Sequence, residues 1–195
     1  MINFIHAENL ALPWALQSAK LAYEAFVDFY SIFSGDKEKI IYSIAEQFNT
    51  FSELNQVVLA VEEGNIVGIC SYYKAEERLE RQVNGIRSLL EISDILPEVN
   101  EGLRNFQKKF SEYNFQKNTI YISRFSIKME KRGQALGLNL MKHIESYFIS
   151  LKIQRILLHV RRDNIQAIMF YKKVGFTDLD HCRLGYVLLE KIILS

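Results

Sequence analysis

The segment TIYISRFSIKMEKRGQALGLNLMKHIESYF spans residues Thr119–Phe148 and gives the clearest structural signal in this chain. Its first part, Tyr121–Ile127, is rich in β-branched and aromatic residues, which predicts a buried strand. In its last part, apolar residues recur at the spacing of one helix face, at Leu140, Met141, Ile144, Tyr147 and Phe148. The segment therefore predicts a strand that leads through a turn into an amphipathic helix.

The turn between these elements, Lys128–Gly137, is basic and carries small residues at Gly133, Ala135 and Gly137. The first backbone N–H groups of a helix have no partner within it, and together with the positive end of the helix dipole they attract anions. Arg132 adds a charge suited to phosphate. Many such turns need glycine only for backbone geometry, and neither G-x-x-x-x-G-K-[ST] nor G-x-G-x-x-G occurs here. The turn alone is therefore compatible both with a phosphate site and with a turn that needs glycine only for its backbone geometry.

Composition predicts one ordinary globular domain over residues 1–195, with 49% apolar and 24% charged residues. The net charge of +1 gives no reason to expect nucleic acid or a membrane as a partner. The two cysteines, Cys70 and Cys182, are far apart and have no metal-ligand spacing, so we expect buried thiols in a reducing compartment and no metal site.

The N-terminal sequence predicts a cytoplasmic protein. It lacks the basic region of a signal peptide, and the apolar stretch Leu10–Phe33 is interrupted by Lys20, Glu24 and Asp28. These three residues lie four positions apart, which is typical of one polar stripe on a helix rather than of a membrane span. A homodimer is left open by the sequence.

The rest of the chain alternates strand and helix patterns. Further strands are predicted at Ile2–His6, Val57–Val61, Ile66–Tyr73, Arg155–Val160 and Tyr186–Ile193. Further helices are predicted from Leu12 into the Tyr30 region, from the Asp36 cap to Phe48, and from Asp163 or Asn164 to Gly175. The order predicts an α/β fold with a single mixed, mostly antiparallel sheet of six to seven strands and helices on both faces.

The segment Lys74–Lys117 reads as an insertion with one helical face at Leu79, Val83, Ile86 and Leu90 and a second at Leu103, Phe106, Phe110 and Tyr113. It predicts a helical pair packed on the sheet.

The last helix carries one apolar face at Ile165, Ile168, Met169 and Tyr171. Gly175 ends it, with Phe176 placed for the hydrophobic contact of a Schellman motif.

Two motifs now carry a family resemblance: RFSIKMEKRGQALG at Arg124–Gly137 and VRRDNIQAIMFYKKVGF at Val160–Phe176. Together they resemble the GNAT superfamily of N-acetyltransferases. The first is similar to the family's pyrophosphate pattern [RQ]-x-x-G-x-[GA], with Ala135 where the family usually has glycine. The second is similar to N-x-x-A-x-x-x-Y-x-x-x-G-F, met by Asn164, Ala167, Tyr171, Gly175 and Phe176. The resemblance covers nearly the whole chain apart from the insertion.

The resemblance implies that acetyl-CoA inserts where the central strand separates from its parallel neighbour. Backbone groups near Phe125 and Ile127 would bond the pantetheine arm, and the turn would hold the pyrophosphate. Asn164 would serve the cofactor arm, act as a helix N-cap, or do both. The implied cofactor-binding residues are Phe125, Ile127, Arg132, Gly133, Gln134, Ala135, Leu136, Gly137 and Asn164. Two roles are open for four basic residues, contact with the 3′-phosphate of the cofactor or ordinary solvated surface charge. These residues are Arg161, Arg162, Lys172 and Lys173.

The resemblance also implies catalytic roles. Tyr171 would be the general acid that protonates the thiolate leaving group, while a primary amine is acetylated directly in a ternary complex. Family members often use a strand carboxylate or an ordered water as base, but Tyr121–Ile127 contains no Asp or Glu. His159 on the neighbouring strand is the candidate base, with Glu76 and Glu77 as weaker alternatives. The insertion is expected to cover the acceptor pocket, because it precedes the central strand and lies opposite the turn.

The sequence is therefore compatible with three functions. The first is an acetyl-CoA-dependent N-acetyltransferase acting on a small-molecule or peptide amine. The second is an acyl-CoA-binding sensor or a catalytically inactive relative, which the missing strand carboxylate keeps open. The third, a nucleic-acid or ribosome-associated modifier, is disfavoured by the near-neutral charge and by the lack of a basic aromatic stripe.

Overall fold

A computed structural model describes residues 1–33, 36–92, 116–183 and 185–193, and the side chains of all of these except 180–183. Its strands are β1 (Ile2–Ala7), β2 (Val57–Glu62), β3 (Asn65–Lys74), β4 (Thr119–Ile127), β5 (Arg155–Arg161), β6 (Thr177–Arg183) and β7 (Tyr186–Ile192). They form one seven-stranded sheet in the order β1-β2-β3-β4-β5-β7-β6, in which only β4 and β5 are parallel. The predicted mixed, mostly antiparallel sheet is confirmed.

Helices cover both faces of this sheet, as predicted. They are α1 (Leu12–Ala25), α2 (Val27–Tyr30), α3 (Lys37–Gln47), α4 (Arg78–Glu91), α5 (Leu136–Ser150) and α6 (Ile165–Lys173), and short 3-10 turns occupy Ala75–Glu77 and Met129–Lys131. Helices α5 and α6 pack over one core, and α1 to α4 pack over another on the opposite face. That residues 1–195 form a single domain stays a prediction. None of the described helices combines the length and the apolar character that crossing a membrane requires.

The sheet opens between β4 and β5. These parallel strands pair only at Thr119–Arg155, Ile120–Ile156 and Tyr121–Leu157, and then separate. The other edge of β4 stays paired with β3 as far as Ile127. Beyond Tyr121, the edge of β4 that faces β5 therefore has no ladder partner in the described part of the chain, which leaves backbone donors and acceptors available to a ligand.

A β-bulge lies in the same part of β4. Ser71 on β3 pairs with Arg124 and Tyr72 pairs with Ile122, so Ser123 is one extra residue on β4. The extra residue breaks the alternation of side chains between the two faces. Tyr121, Ser123 and Arg124 consequently all line a cavity on the face of α1 and α4. Phe125 instead packs against the core under α5 and α6.

Two helix-end predictions are confirmed by specific contacts, and the hairpin between β2 and β3 is observed as well. The Asp36 carboxylate caps α3 by accepting from the backbone N–H groups of Glu38 and Lys39, at 3.0 and 3.3 Å. The β2–β3 hairpin turns at Glu63 and Gly64, both with positive φ. Helix α6 ends in a Schellman motif at Gly175 (φ +93°), with Phe176 N–H bonded to Tyr171 C=O and Gly175 N–H bonded to Lys172 C=O, each at 3.0 Å.

The helix predicted from Leu12 into the Tyr30 region is wrong in its continuity. Helix α1 ends at Ala25, and Phe26 adopts a non-helical conformation (φ −143°, ψ 36°) before the short α2 begins. At this break the Phe26 ring lies 4.8 Å from the guanidinium carbon of Arg124. A cation–π contact of this kind stabilises the ring in its present position.

The predicted apolar face of α4 is correct only in part. Ile86 and Leu90 pack against the core, but Leu79 is 50% exposed, whereas Arg78 and Arg81 are buried. Each arginine places its guanidinium over an aromatic ring, with Arg78 5.2 Å from Tyr121 and Arg81 4.0 Å from Phe51. The helix is therefore turned so that these arginines face the rings. A prediction from apolar spacing treats arginine as a surface residue and does not include such contacts. The second helix of the predicted pair lies outside the described residues.

In α6 the predicted apolar face is half correct. Tyr171 is buried and Ile168 partly so, but Ile165 and Met169 are 58% and 65% exposed. A nine-residue helix packed on one side can bury only one stripe, and here that stripe contains Tyr171 and partly buried Ala167 and Phe170.

We expect Gly175→Ala to lower the free energy of unfolding by about 1–2 kcal/mol, because alanine pays a steric penalty at positive φ. The added Cβ would also lie 3.3 Å from Cε of Lys191, whose ammonium pairs with Glu145. Urea unfolding followed by circular dichroism measures the change. Gly175→Asn is the control and should lose less stability, because asparagine tolerates this conformation. Equal stability of Gly175→Ala and the wild type would contradict the motif.

Candidate active site

A groove of about 630 Å³ begins at the opening between β4 and β5 and runs to the start of α5. Its walls come from the end of β4, the basic turn, the first turn of α5, helix α6 and the last residues of α1. The residues that line it include Phe125, Ser126, Ile127, Arg132, Gly133, Ala135, Leu136, Gly137, Asn164, Ala167, Phe170, Tyr171 and Lys173. All predicted cofactor-binding residues except Gln134 therefore surround one groove.

The turn presents backbone amides to this groove. Gly133 and Ala135 adopt positive φ values of +78° and +60°, which curl the chain before α5 starts at Leu136. Among the residues that the structure describes, no side chain caps the start of α5, and the first turn of this helix contains no acidic residue. A Cβ added at Gly133 would meet no atom within 4 Å, so the space in front of the turn is open. Open amides at a helix start are suited to an anionic ligand.

The side chains of the turn differ in where they lie. Arg132 lines the groove and donates from Nε to the carbonyl oxygen of Ile127 at 2.9 Å, so its guanidinium is tied to the end of β4. Gln134 donates from Nε2 to the carbonyl oxygen of Glu130 at 2.9 Å, and its side chain is outside the groove lining. Any part that Gln134 plays in binding therefore falls to its backbone.

An orphaned polar atom indicates that the groove is built for a ligand. Ser126 is only 4% exposed, and within the described chain its Oγ has no hydrogen-bond partner. Ser126 lines the groove next to the unpaired edge of β4. Because a buried hydroxyl without a partner costs free energy, a ligand with a polar group at this depth would be favoured. The pantetheine arm of coenzyme A carries amide groups that fit this requirement.

Helix α6 contributes two predicted residues to the groove. Asn164 accepts from the backbone N–H of Ala167 at 3.1 Å, so it is a helix N-cap and a groove residue at once. Tyr171 is buried, and its ring lies 6.3 Å from Phe125 and 5.5 Å from Phe176. Burial raises the pKa of Tyr171, so its phenol keeps its proton at neutral pH.

A smaller cavity of about 80 Å³ lies on the face covered by α1 and α4. Its walls include Phe26, Phe29, Glu53, Arg78, Gln82, Ile86, Tyr121, Ser123, Arg124, His159 and Tyr186. His159 is here rather than in the groove, and its Nδ1 is 2.7 Å from the hydroxyl of Tyr121. The two predicted catalytic residues therefore line different spaces, with Tyr171 in the groove and His159 in the cavity.

Glu53, which was not predicted as a site residue from the sequence, follows α3 and lines this cavity. Its Oε1 accepts from Nη2 of Arg124 at 2.6 Å, and the two side chains are 13% and 8% exposed. Arg124 also donates from Nε and Nη2 to the hydroxyl of Tyr30, at 3.2 and 3.1 Å, and from Nη1 to the carbonyl oxygen of Ser123 at 2.7 Å. Burial acts to lower the pKa of Arg124, but Glu53 and Tyr30 outweigh it and raise that pKa.

No local pattern could have identified Glu53, because 71 residues separate it from Arg124. The alternatives Glu76 and Glu77 are not among the residues that line either space. Glu77 instead pairs with Arg81 at 2.7 Å. Of the four cations weighed for the 3′-phosphate, Lys173 lines the groove, whereas Arg161 pairs with Asp28 and Asp163.

The separation of β4 from β5, the open start of α5 and the groove between them suit a long ligand with an anionic end. The family model described as the Acetyltransferase (GNAT) family matches residues 20–176. The chain therefore belongs to this family of acetyltransferases, and the resemblance inferred from the two motifs is confirmed. No curated protein sequence matches the chain.

Solved structures share the fold at low sequence identity. An N-acetyltransferase from Staphylococcus aureus Mu50 is 18% identical, with a TM-score of 0.69 and coverage of 97% of this chain and 99% of that one. The PaiA N-acetyltransferase from Thermoplasma acidophilum, solved with coenzyme A, is 16% identical, with a TM-score of 0.57 and coverage of 97% and 99%. The ribosomal-protein-S18-alanine N-acetyltransferase from Escherichia coli is 12% identical, with a TM-score of 0.58 and coverage of 100% and 96%.

We expect Ala135→Gly to raise the free energy of unfolding by about 0.5–1 kcal/mol. Relief of the left-handed strain at φ +60° is worth about 1–2 kcal/mol, and the extra freedom of glycine in the unfolded chain removes about 0.4–1 kcal/mol. Thermal and urea unfolding measure the change. As a control, Ala11→Gly replaces an alanine at φ −57° and should not stabilise the protein. A loss of stability in Ala135→Gly would contradict the strained turn.

Proposed function

We propose that this protein is an N-acetyltransferase that moves the acetyl group of acetyl-CoA to a primary amine by direct transfer in a ternary complex. The observation that carries the proposal is the single groove that joins the unpaired edge of β4, the open amides of the turn and the phenol of Tyr171. When bound, acetyl-CoA supplies an activated acyl thioester. The residues of this chain supply binding, orientation and proton transfer.

The chain would hold coenzyme A along the length of the groove. The backbone of β4 near Phe125 and Ile127 would hydrogen-bond the pantetheine arm as an added strand, with the orphaned hydroxyl of Ser126 as a further partner. The amides from Gly133 to Gly137 and the guanidinium of Arg132 would hold the pyrophosphate. Lys173, at the opposite wall, would meet a further phosphate.

Tyr171 would act as the general acid. Its pKa is raised by burial, so the phenol oxygen holds a proton that can pass to the departing sulfur. Its position is fixed from both ends of α6, by the Asn164 cap and by the Schellman motif at Gly175. The aromatic rings of Phe125, Phe170 and Phe176 surround it and limit the access of water.

The acceptor would enter the smaller cavity. Glu53 is the carboxylate among its described wall residues, and Arg124 engages only one of its oxygens there, which leaves Oε2 to attract an ammonium group. His159 would take the proton that the amine must lose, with its ring oriented by the hydroxyl of Tyr121. Arg78, Gln82 and Ile86 of α4 form part of the wall, which supports the proposal that the 74–117 insertion covers the acceptor pocket.

The second candidate is an acyl-CoA-binding sensor or a catalytically inactive relative. One observation favours it: both proton acceptors of the cavity are already engaged, Glu53 with Arg124 and His159 with Tyr121. Such a protein would keep the groove and bind coenzyme A without turnover. We retain the predictions of a cytoplasmic protein without a nucleic-acid or membrane partner, and a homodimer stays open.

We expect thiol release from acetyl-CoA to rise above the amine-free rate with at least one acceptor of a defined panel. The panel contains spermidine, tyramine, kanamycin and a peptide with an N-terminal alanine, the last chosen because the similar E. coli protein is an S18-alanine N-acetyltransferase. Calorimetry with coenzyme A is run alongside. Binding of coenzyme A without release would favour the sensor, and failure of coenzyme A to bind would contradict both functions.

We expect Tyr171→Phe to lower kcat by about 10²- to 10⁴-fold, because removing a general acid typically costs this much. Acetyl-CoA affinity should be nearly unchanged, because the ring and its packing are kept. Tyr42→Phe, a change at an exposed tyrosine on α3, is the matched control and should behave like the wild type. Unchanged kcat in Tyr171→Phe would remove the acid role.

Glu53 and His159 are expected to differ in their effects. Glu53→Gln should raise KM for the amine, because it removes the charge that attracts the ammonium. His159→Gln should lower kcat and abolish the decline of rate at low pH, because it removes the proton acceptor. Since Glu53→Gln also leaves Arg124 buried without its counter-ion, a loss of stability of about 3 kcal/mol is expected and is measured separately. Identical pH profiles for His159→Gln and the wild type would exclude His159 as the base.

A further inference from the structure

Two histidines meet on the surface where β1 passes α5. His6 lies on β1, an edge strand of the sheet, and His143 lies in the middle of α5. Their Nε2 atoms are 2.9 Å apart, although 137 residues separate them in sequence. Neither residue lines the groove or the acceptor cavity. The pair is therefore independent of the proposed function.

Aromatic neighbours hold both rings in place. The ring of His6 lies 3.9 Å from that of Tyr147, one turn further along α5. The ring of His143 lies 4.9 Å from that of Phe4 on β1. Packing of this kind restricts rotation of the imidazoles, so the direction of the two Nε2 atoms is set by the fold rather than by their own contact.

The contact between two Nε2 atoms restricts their chemistry. A hydrogen bond at this distance needs one ring to donate and the other to accept, so only one proton can lie between them. Burial lowers the pKa of both rings, and the neighbouring His143 lowers that of His6 further. When the donor ring carries its proton on Nδ1 instead, both Nε2 lone pairs become available, and neutral imidazole nitrogens are ligands that Zn²⁺, Ni²⁺ and Cu²⁺ favour.

We propose that His6 and His143 form a two-histidine site for a divalent transition-metal ion, with solvent completing its coordination. Metal–imidazole bonds of about 2.0–2.1 Å place two nitrogens about 2.9 Å apart at a right angle and about 3.3 Å apart at the tetrahedral angle. The observed 2.9 Å therefore matches the spacing of two ligand nitrogens at a right angle on one ion. Within the described ranges no cluster of three or more His, Cys, Asp or Glu side chains could hold a metal, which is why solvent must supply the other ligands.

A metal ion here would join the sheet edge to a helix. Strand β1 pairs only with β2 in the sheet, and α5 begins at the turn of the groove. The site forms only when β1 and α5 are both in place, so the ion binds the folded chain and stabilises it by mass action. The ion has no contact with the residues of the groove and should leave coenzyme A affinity unchanged.

The proposal is tested by titrating the metal-free protein with ZnCl₂ and NiCl₂. Calorimetry should show one equivalent bound, and the melting temperature should rise by about 5–10 °C when the metal is about 100-fold above its Kd. MgCl₂ should have no effect, because Mg²⁺ prefers oxygen ligands. His6→Phe and His143→Phe keep an aromatic ring but remove the nitrogen, and each should weaken Zn²⁺ binding by about tenfold or more.

Lys142→Gln, next to His143 and exposed, is the matched control and should bind Zn²⁺ like the wild type. If either phenylalanine variant is too unstable to compare, the electron paramagnetic resonance spectrum of Cu²⁺ bound to the wild type should show two equivalent imidazole nitrogens. Zn²⁺ binding that both variants retain would overturn the proposal, as would a Cu²⁺ spectrum with one nitrogen or no binding at all. Thiol release plays no part in these measurements, so the outcome is separate from that of the acetyltransferase proposal.

Discussion

The early end of the pairing between β4 and β5 is the constraint on which the rest of the molecule depends. The two parallel strands share three residue pairs and then diverge, while each keeps its ladder on the opposite side, β4 with β3 and β5 with β7. Both strands are therefore held in place although the sheet is open between them. The edge of an interior strand is thereby exposed to a groove. Its unpaired backbone N–H and C=O groups need hydrogen bonds from a ligand or from solvent.

Strand β4 serves both sides of this opening. Its later residues face the groove that leads to the open start of α5, and its earlier residues face the smaller cavity. The buried guanidinium of Arg124 in the wall of this cavity would cost free energy without partners. Glu53 pairs with it and the hydroxyl of Tyr30 accepts a hydrogen bond from it. The same hydrogen-bond network fixes the orientation of the Glu53 carboxylate.

Sequence patterns predicted the features that depend on neighbours close in the chain. The strand–turn–helix of 119–148, the Asp36 cap and the Schellman end at Gly175 all follow from residues within one or two turns of each other. The groove residues could be named because a family resemblance supplied their arrangement. The rotation of α4 could not be predicted, because buried arginines over aromatic rings look like surface residues in a hydrophobic pattern. Glu53 and the His6–His143 contact join distant parts of the chain, and nothing local marks them.

The extra residue at Ser123 makes the length of β4 as important as its composition. Before the bulge, side chains alternate between the two faces, and after it the alternation resumes with the opposite assignment. Deleting Ser123 would leave Tyr72–Ile122 and Ser71–Arg124 as successive pairs of a regular strand, with Arg124 still facing the smaller cavity and Phe125 still packed beneath α5. Deleting any other residue of β4 while the bulge is kept would instead turn the side chains on one side of the deletion to the opposite face of the sheet. Outside Ser123, this short stretch should therefore diverge in residue type while keeping its residue count.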